Sequence, residues 1–258
     1  ESLKKIRDAN FQIKVSRIKG GDAVNKVPDS ASVEFFLQSS SFDDFKRFYR
    51  EKLAVEPLNN QIQIQIGGLG ETGIKFLPDG MLDGIDAVRQ MFDKFKSGIL
   101  SSRDETFNPA ESTINLGTVL NADGQLQMSY DIRLMPDVSA DEFDLALKKE
   151  VAEINKNYPS LIMKVTKVRV NPSLNMKEDS ELIRTALDAQ KSSGITAGIA
   201  KKATSTEAAQ YFAAGYDAIV FGPGKSMGNS HSPNEHNLID HLDKAVHFYD
   251  RMIEKLCL

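Results

Sequence analysis

Alternation of apolar and polar positions marks two stretches of the chain as strands, clear in "SVEFFLQ" at residues 32–38 and strict in "NNQIQIQIGG" at residues 59–68. The first closes a longer segment, "FQIKVSRIKGGDAVNKVPDSASVEFFLQ" (11–38), which predicts two strands joined through Gly20-Gly21 and a Val27-Pro28 turn. The period then changes. Phe42, Phe45 and Tyr49 recur at helical spacing behind Ser41, and Ser41 with Asp44 has the form of a capping box that uses Asp in place of Glu. Ile85, Val88, Met91, Phe92 and Phe95 share one face of an amphipathic helix in "DGMLDGIDAVRQMFDKFKSGIL".

A second round of the same grammar follows. "STINLGTVLNADGQLQMSYDIRLMPD" predicts a hairpin that turns at Ala122-Asp123-Gly124. "SADEFDLALKKEVAEINKNY" predicts its helix, capped by Ser139 and Glu142, and "SLIMKVTKVRV" predicts a closing strand. The two rounds make an internal repeat of an antiparallel sheet covered by helices.

Near Asn171 the pattern shifts to alternating helices and short apolar strands. "NPSLNMKEDSELIRTALDAQ" leads into a helix, "STEAAQYFAAG" predicts a second one starting near Ser205 or Thr206, and "YDAIVF" (216–221) has the continuous apolar character of a strand buried on both faces. Leu238, Leu242, Ala245, Tyr249, Met252 and Leu256 define the expected buried stripe of a C-terminal helix. The expected fold is α/β overall. An α+β lid of two ferredoxin-like repeats, about 1–66 and 67–170, precedes a C-terminal strand and helices at 171–258.

Composition narrows the function class. A net charge of −4 gives no basic stripe for nucleic acid. No apolar run approaches the roughly 20 residues that span a bilayer. The lone cysteine, Cys257, makes no internal disulfide and fits a reducing, cytoplasmic compartment. The chain opens at Glu1 without an initiator Met, which reads as a fragment or a processed chain.

All four histidines, His231, His236, His241 and His247, lie in one window near the end. "GPG" (Gly222, Pro223, Gly224) would end a sheet strand and let backbone approach a ligand there. His231 follows in "SHSPNE", either as a metal or oxyanion contact at the sheet edge or as a surface turn histidine. His241 and His247 fall on the last helix, off the expected stripe, and His236 lies beside its start. "HLD" at 241–243 is not a metal pair, because i and i+2 on a helix diverge by roughly 200°. Asn25 in "GGDAVNKVP" and Arg133 in "YDIRLMPD" stand at matching places in the two repeats. They read as a turn Asn and a solvated strand Arg, or as a pair reaching over a pocket, where Arg would grip a carboxylate by two parallel hydrogen bonds.

On these motifs the chain resembles the di-zinc aminoacylase, deacylase and dipeptidase family, which includes acetylornithine deacetylase, succinyl-diaminopimelate desuccinylase, carboxypeptidase G and the β-Ala-Xaa dipeptidases. "GPGKSMGNSHSPNE" is similar to the family's closing signature, and "STEAAQYF" to the segment before it. "IKGGDAVNKVPDSAS", "INLGTVLNADGQLQMSYDIRLMP" and "GGLGETGIKFLPDGMLDGIDAV" resemble stretches of its lid or dimerisation domain. The resemblance implies an enzyme in which two zinc ions share a bridging water, a glutamate takes its proton, and the hydroxide attacks an amide carbonyl. It implies His231 as a zinc ligand, Asn25 and Arg133 as contacts of the substrate's carboxylate or oxyanion, and Gly222, Pro223 and Gly224 as pocket lining. The substrate would be a dipeptide or an N-acyl amino acid, and a homodimer could form through the lid.

The chain departs from the family at two places. The H-x-D-x-x-P metal motif and the Glu-Glu pair are absent, so no catalytic residue is expected in this chain. Thr72 stands where the lid histidine should fall. One imidazole does not hold a di-zinc centre. The expectation is a C-terminal portion of a zinc-dependent amidohydrolase that needs an N-terminal catalytic segment and is inactive alone. The alternative is a non-catalytic dimerisation or binding module, or a degenerate relative.

Overall fold

A computed structural model describes residues 2–54, 74–122, 124–169, 172, 174–201, 206–225, 229 and 234–258. The expected strand at 59–68, Thr72 and His231 lie outside the described residues. The class is α/β. Four strands, β1 (Ile13–Gly20), β2 (Ala31–Leu37), β3 (Thr113–Ala122) and β4 (Gln125–Arg133), form one sheet in the order β2-β1-β3-β4. The hairpins of the two repeats thus join edge to edge, with β1 antiparallel to both β2 and β3. The α-helices are α1 (Ser2–Asp8), α2 (Phe42–Phe48), α3 (Met81–Ser97), α4 (Ala140–Asn157), α5 (Glu181–Ser192), α6 (Glu207–Ala213) and α7 (Ile239–Leu256), with a 3₁₀ turn at Ser39–Ser41 and a π-helical turn at Tyr49–Leu53 on either side of α2. No helix of the described residues is long and apolar enough to cross a membrane.

The chain divides into two units. The first comprises Glu1–Gly98, Thr113–Ile132 and Asp144–Val165; the second comprises Ile99–Ser112, Arg133–Phe143 and Thr166–Leu258.

In the first unit, Val15, Ile18 and Leu77 are buried, and Met81, Leu82 and Ile85 of α3 pack on them together with Val119 and Leu126. The inward positions Val15 and Ile18 are three residues apart, not two. A bulge between Val15 and Arg17 inserts Ser16 and resets the alternation. Asn121 of β3 serves this bulge: its carboxamide oxygen accepts from Ile18 N at 2.5 Å and its nitrogen donates to Ser16 O at 3.0 Å. A second cluster, Ile6, Phe45 and Leu53, joins α1 to α2, with Phe11 edge-on to Phe45 at 5.4 Å between ring centroids. Tyr130 of β4 lies against Phe92 of α3 at 4.6 Å, and burial pushes its phenol up to about 12.

The helices predicted within 39–53, 79–100 and 139–158 are present as α2, α3 and α4, and the structure corrects their details. Ser139 accepts from Glu142 N at 3.3 Å and caps α4 as expected. Ser41 makes no such bond at α2. Residues Ser39–Ser41 already curl into a 3₁₀ turn, which takes Ser41 out of the extended conformation that a capping side chain needs. The closing strand expected at 160–170 has no ladder among its described residues. Met163 instead gives its backbone to a side chain: its N–H donates to Asn155 Oδ1 at 2.7 Å, and Asn155 Nδ2 donates to Met163 O at 2.9 Å. Gly84 lets this segment close on α3, since a Cβ there would stand 2.5 Å from Leu161 Cδ1.

In the second unit, α5 and α7 pack through Ala186, Ala189 and Phe248, with Ile219, Phe221 and Met252 around them. Ser180 caps α5 by accepting from Ile183 N. The expected buried stripe of α7 is corrected. Ala245 and Phe248 face the core, whereas Leu242, Tyr249 and Leu256 are about half exposed. α7 carries apolar residues on two sides, and the flat alanine surface of α5 selects the side that holds the bulky ring. Residues 216–221 are likewise not a ladder strand. Phe221 is instead fixed by stacking on Phe248, at 3.7 Å between centroids, and by Tyr249 OH donating to its carbonyl at 3.2 Å.

Candidate functional site

Asn25 stands at the corner of a turn between β1 and β2, with Lys26 N donating to Ala23 O at 3.4 Å. Its side chain is exposed. The turn is folded back against β3. Asn115 Nδ2 donates to Val24 O at 3.0 Å and to Lys26 O at 2.8 Å. Gly117, two residues along the strand, admits the turn's backbone, because a Cβ there would lie 2.0 Å from Val24 O. Gly21 begins the excursion at φ +70°, a backbone that glycine adopts without strain.

Arg133 is the last residue of β4 and is half-buried. The chain is pinned just beyond it. Met135 is 2% exposed beside Phe107 and Val138, and its N–H donates to the buried Ser112 hydroxyl at 2.9 Å. Ser102 Oγ donates to Asp137 at 3.2 Å. The strand end that carries the guanidinium is therefore set by a buried methionine and two serine hydroxyls. Asn25 belongs to the first unit and Arg133 to the second.

Gly222, Pro223 and Gly224 are exposed. Phe221 anchors them on one side, and on the other Asn237 Nδ2 donates to Pro223 O at 3.2 Å. Gly224 adopts φ +93°, and a Cβ there would meet Asn237 Oδ1 at 2.0 Å. Asn229 donates to Lys225 O at 3.0 Å and His236 O at 2.7 Å and accepts from His236 N at 3.1 Å.

The other three imidazoles do not converge. His236 is exposed, with its Nδ1 2.9 Å from Asn234 O, and His247 is exposed on α7. His241 is half-buried on the side that carries Ala245 and Phe248, so it lies along the core-facing edge and not off it. Among the described residues no group of three or more His, Cys, Asp or Glu side chains is placed to hold a metal ion. The described donors therefore do not make a metal centre by themselves.

Four asparagines carry much of this architecture: Asn115, Asn121, Asn229 and Asn237. Sequence reading missed all four. The partners of Asn115 and Asn121 lie on distant segments, 91 residues away for Val24 and 105 for Ser16, where no local spacing signals them, whereas Asn229 bonds four and seven residues away, to Lys225 and His236.

The profile of peptidase family M20/M25/M40 matches residues 23–255. Among curated proteins, the chain is 23% identical over 160 residues to an acetylornithine deacetylase of Myxococcus xanthus, covering 60% of this chain and 40% of that protein. It is 24% identical over 163 residues to an acetylornithine deacetylase of Aliivibrio fischeri, covering 59% of this chain and 41% of that protein. The matched part spans about 40% of the length of these relatives.

Proposed function

Because the chain belongs to peptidase family M20/M25/M40, a family of metal-dependent hydrolases, we propose that it supplies the lid and the C-terminal part of the catalytic domain of a zinc-dependent amidohydrolase. The substrate is a small carboxylate-bearing amide, a dipeptide or an N-acyl amino acid. The observation that carries this reading is the family match across residues 23–255, which takes in both the Asn25 turn and the Gly222–Gly224 segment. The acetylornithine deacetylases among the relatives favour the N-acyl amino acid.

In this reading residues 1–170 act as lid and 171–258 as catalytic domain. Asn25 and Arg133 bind the substrate's carboxylate or the developing oxyanion. Arg133 suits a carboxylate because its fork makes two parallel charge-assisted bonds. Gly222, Pro223 and Gly224 present backbone to the substrate without side-chain bulk. His231 is the candidate metal ligand. Two zinc ions need more donors than the described residues bring together, so the remaining ligands and the base come from outside them. No bond-breaking step is assigned to this chain's own residues.

The test uses two proteins. The 258-residue chain is expected to hold no stoichiometric zinc and to hydrolyse neither N-acyl amino acids nor dipeptides. The product of the full coding sequence is expected to hydrolyse one of them, to lose that activity to a chelator and to regain it with zinc. Stoichiometric zinc and turnover in the 258-residue chain would overturn the assignment of an incomplete centre. A full product inactive on both substrate classes would favour a non-catalytic binding module, the reading to which Thr72 in place of a lid histidine points.

A further inference from the structure

We propose that Asn115 is a positioning residue for Asn25, and that it sets the direction in which that carboxamide meets a substrate carboxylate. The inference rests on the reading of Asn25 as a substrate contact.

The β1–β3 ladder reaches Gly20↔Val119, its last paired position beside the turn. Beyond it the chain leaves the sheet as the excursion that carries Asn25. Bonds within the excursion are long: Gly21 N to Ser30 O at 3.3 Å, Lys26 N to Ala23 O at 3.4 Å, and an exposed Lys26–Asp22 pair at 3.4 Å. The two bonds from Asn115 are shorter, at 3.0 and 2.8 Å, and come from a strand embedded in the sheet. A carboxamide nitrogen has two N–H groups, and here both are used. They grip the carbonyls of Val24 and Lys26, the residues on either side of Asn25. Holding both neighbours fixes the backbone of the residue between them, and with it the Cα–Cβ direction of Asn25. Gly117 completes the seat. It lies two positions along β3, on the same face as Asn115, and lets Val24 come to a distance that any side chain would forbid. The two bonds bracket one exposed side chain and so hold the backbone on both sides of it.

The experiment is a titration of the 258-residue chain, ¹⁵N-labelled at asparagine, with N-acetyl-L-alanine, read at the Asn25 side-chain NH₂ and checked by thermal unfolding. Asn115→Leu keeps the branched shape and removes both donors without adding charge. It is expected to weaken the Asn25 response about five- to tenfold, the equivalent of one modest hydrogen bond, and to lower Tm as well, so the Asn25 response and not Tm carries the test. Gly117→Ala reaches the same turn from the other side with Asn115 intact. It is expected to reduce the response as well, which keeps the inference testable where Asn115→Leu folds poorly. An undiminished Asn25 response in either folded variant overturns the positioning role alone. A wild-type protein whose Asn25 NH₂ ignores the probe, while another site binds it, overturns the reading of Asn25 itself and this inference with it.

Discussion

Phe248→Ala tests which face of α7 is the core. The ring is 2% exposed, stacks on Phe221 at 3.7 Å and meets Tyr249 edge-on at 5.5 Å. Its floor is Ala186 and Ala189, small side chains that cannot move in to fill the space. Removing a buried phenylalanine costs about 3–5 kcal/mol, and the rigid alanine floor argues for the upper half of that range. Each lost aromatic contact contributes within it about 0.5–1.5 kcal/mol. Leu242→Ala is the control, since Leu242 is 46% exposed and its truncation should cost less than about 1 kcal/mol. With two units in the chain, one global unfolding fit would mix their transitions. Hydrogen exchange resolves them. Phe248→Ala should accelerate exchange in peptides from α5 and α7 by at least about a hundredfold, which about 3 kcal/mol corresponds to. Peptides from α3 should be unaffected. Leu242→Ala more disruptive than Phe248→Ala, or acceleration shared equally with α3, would refute the assignment of the buried face.

Tyr130 should ionise well above the usual tyrosine range. Its folded value is raised to about 12, so stability is intact below the unfolded value of about 10 and is lost as pH rises through 10 to 12; ultraviolet titration and alkaline unfolding should show a shallower loss in Tyr130→Phe. Arg133→Ala in the full coding product should raise KM with little change in Tm. A large fall in Tm with unaltered kinetics would make Arg133 a strand residue only. Gly224→Ala places a methyl where Asn237 Oδ1 now stands, at a φ of +93°. It should weaken substrate binding in that product and cost about 1–3 kcal/mol locally, and unchanged binding would remove the Gly-Pro-Gly segment from the pocket.

Local periodicity carried α3 and α4, because each has one apolar face and one partner surface. Ser139 and Ser41 show where local reading stops. Both precede a helix with an acidic residue three positions on, yet only Ser139 caps, since the backbone before Ser41 is already coiled. α7 is a harder case: two apolar faces compete, and the choice depends on two alanines about 60 residues earlier in the chain. The closing segment at 160–170 looks like a strand by its alternation, but a ladder needs a partner, and Asn155 serves Met163 instead. At the site, the Asn25 turn was legible from glycine, proline and asparagine chemistry. The residues that hold it were not, because Asn115 sits inside a strand pattern where polar positions read as solvent-facing.

The bulge in β1 bears on how this sheet can change length. Anywhere else in a paired strand, deleting one residue turns every following side chain to the opposite face. Deleting Ser16 does the reverse: Val15, Ile18 and Gly20 would then fall on a strict alternation, all on the side they already occupy. What such a shortened chain forfeits is the pair of bonds from Asn121. Ser16 is thus a natural point for insertion and deletion in an otherwise length-locked strand, and Asn121 is the residue whose identity should change with it.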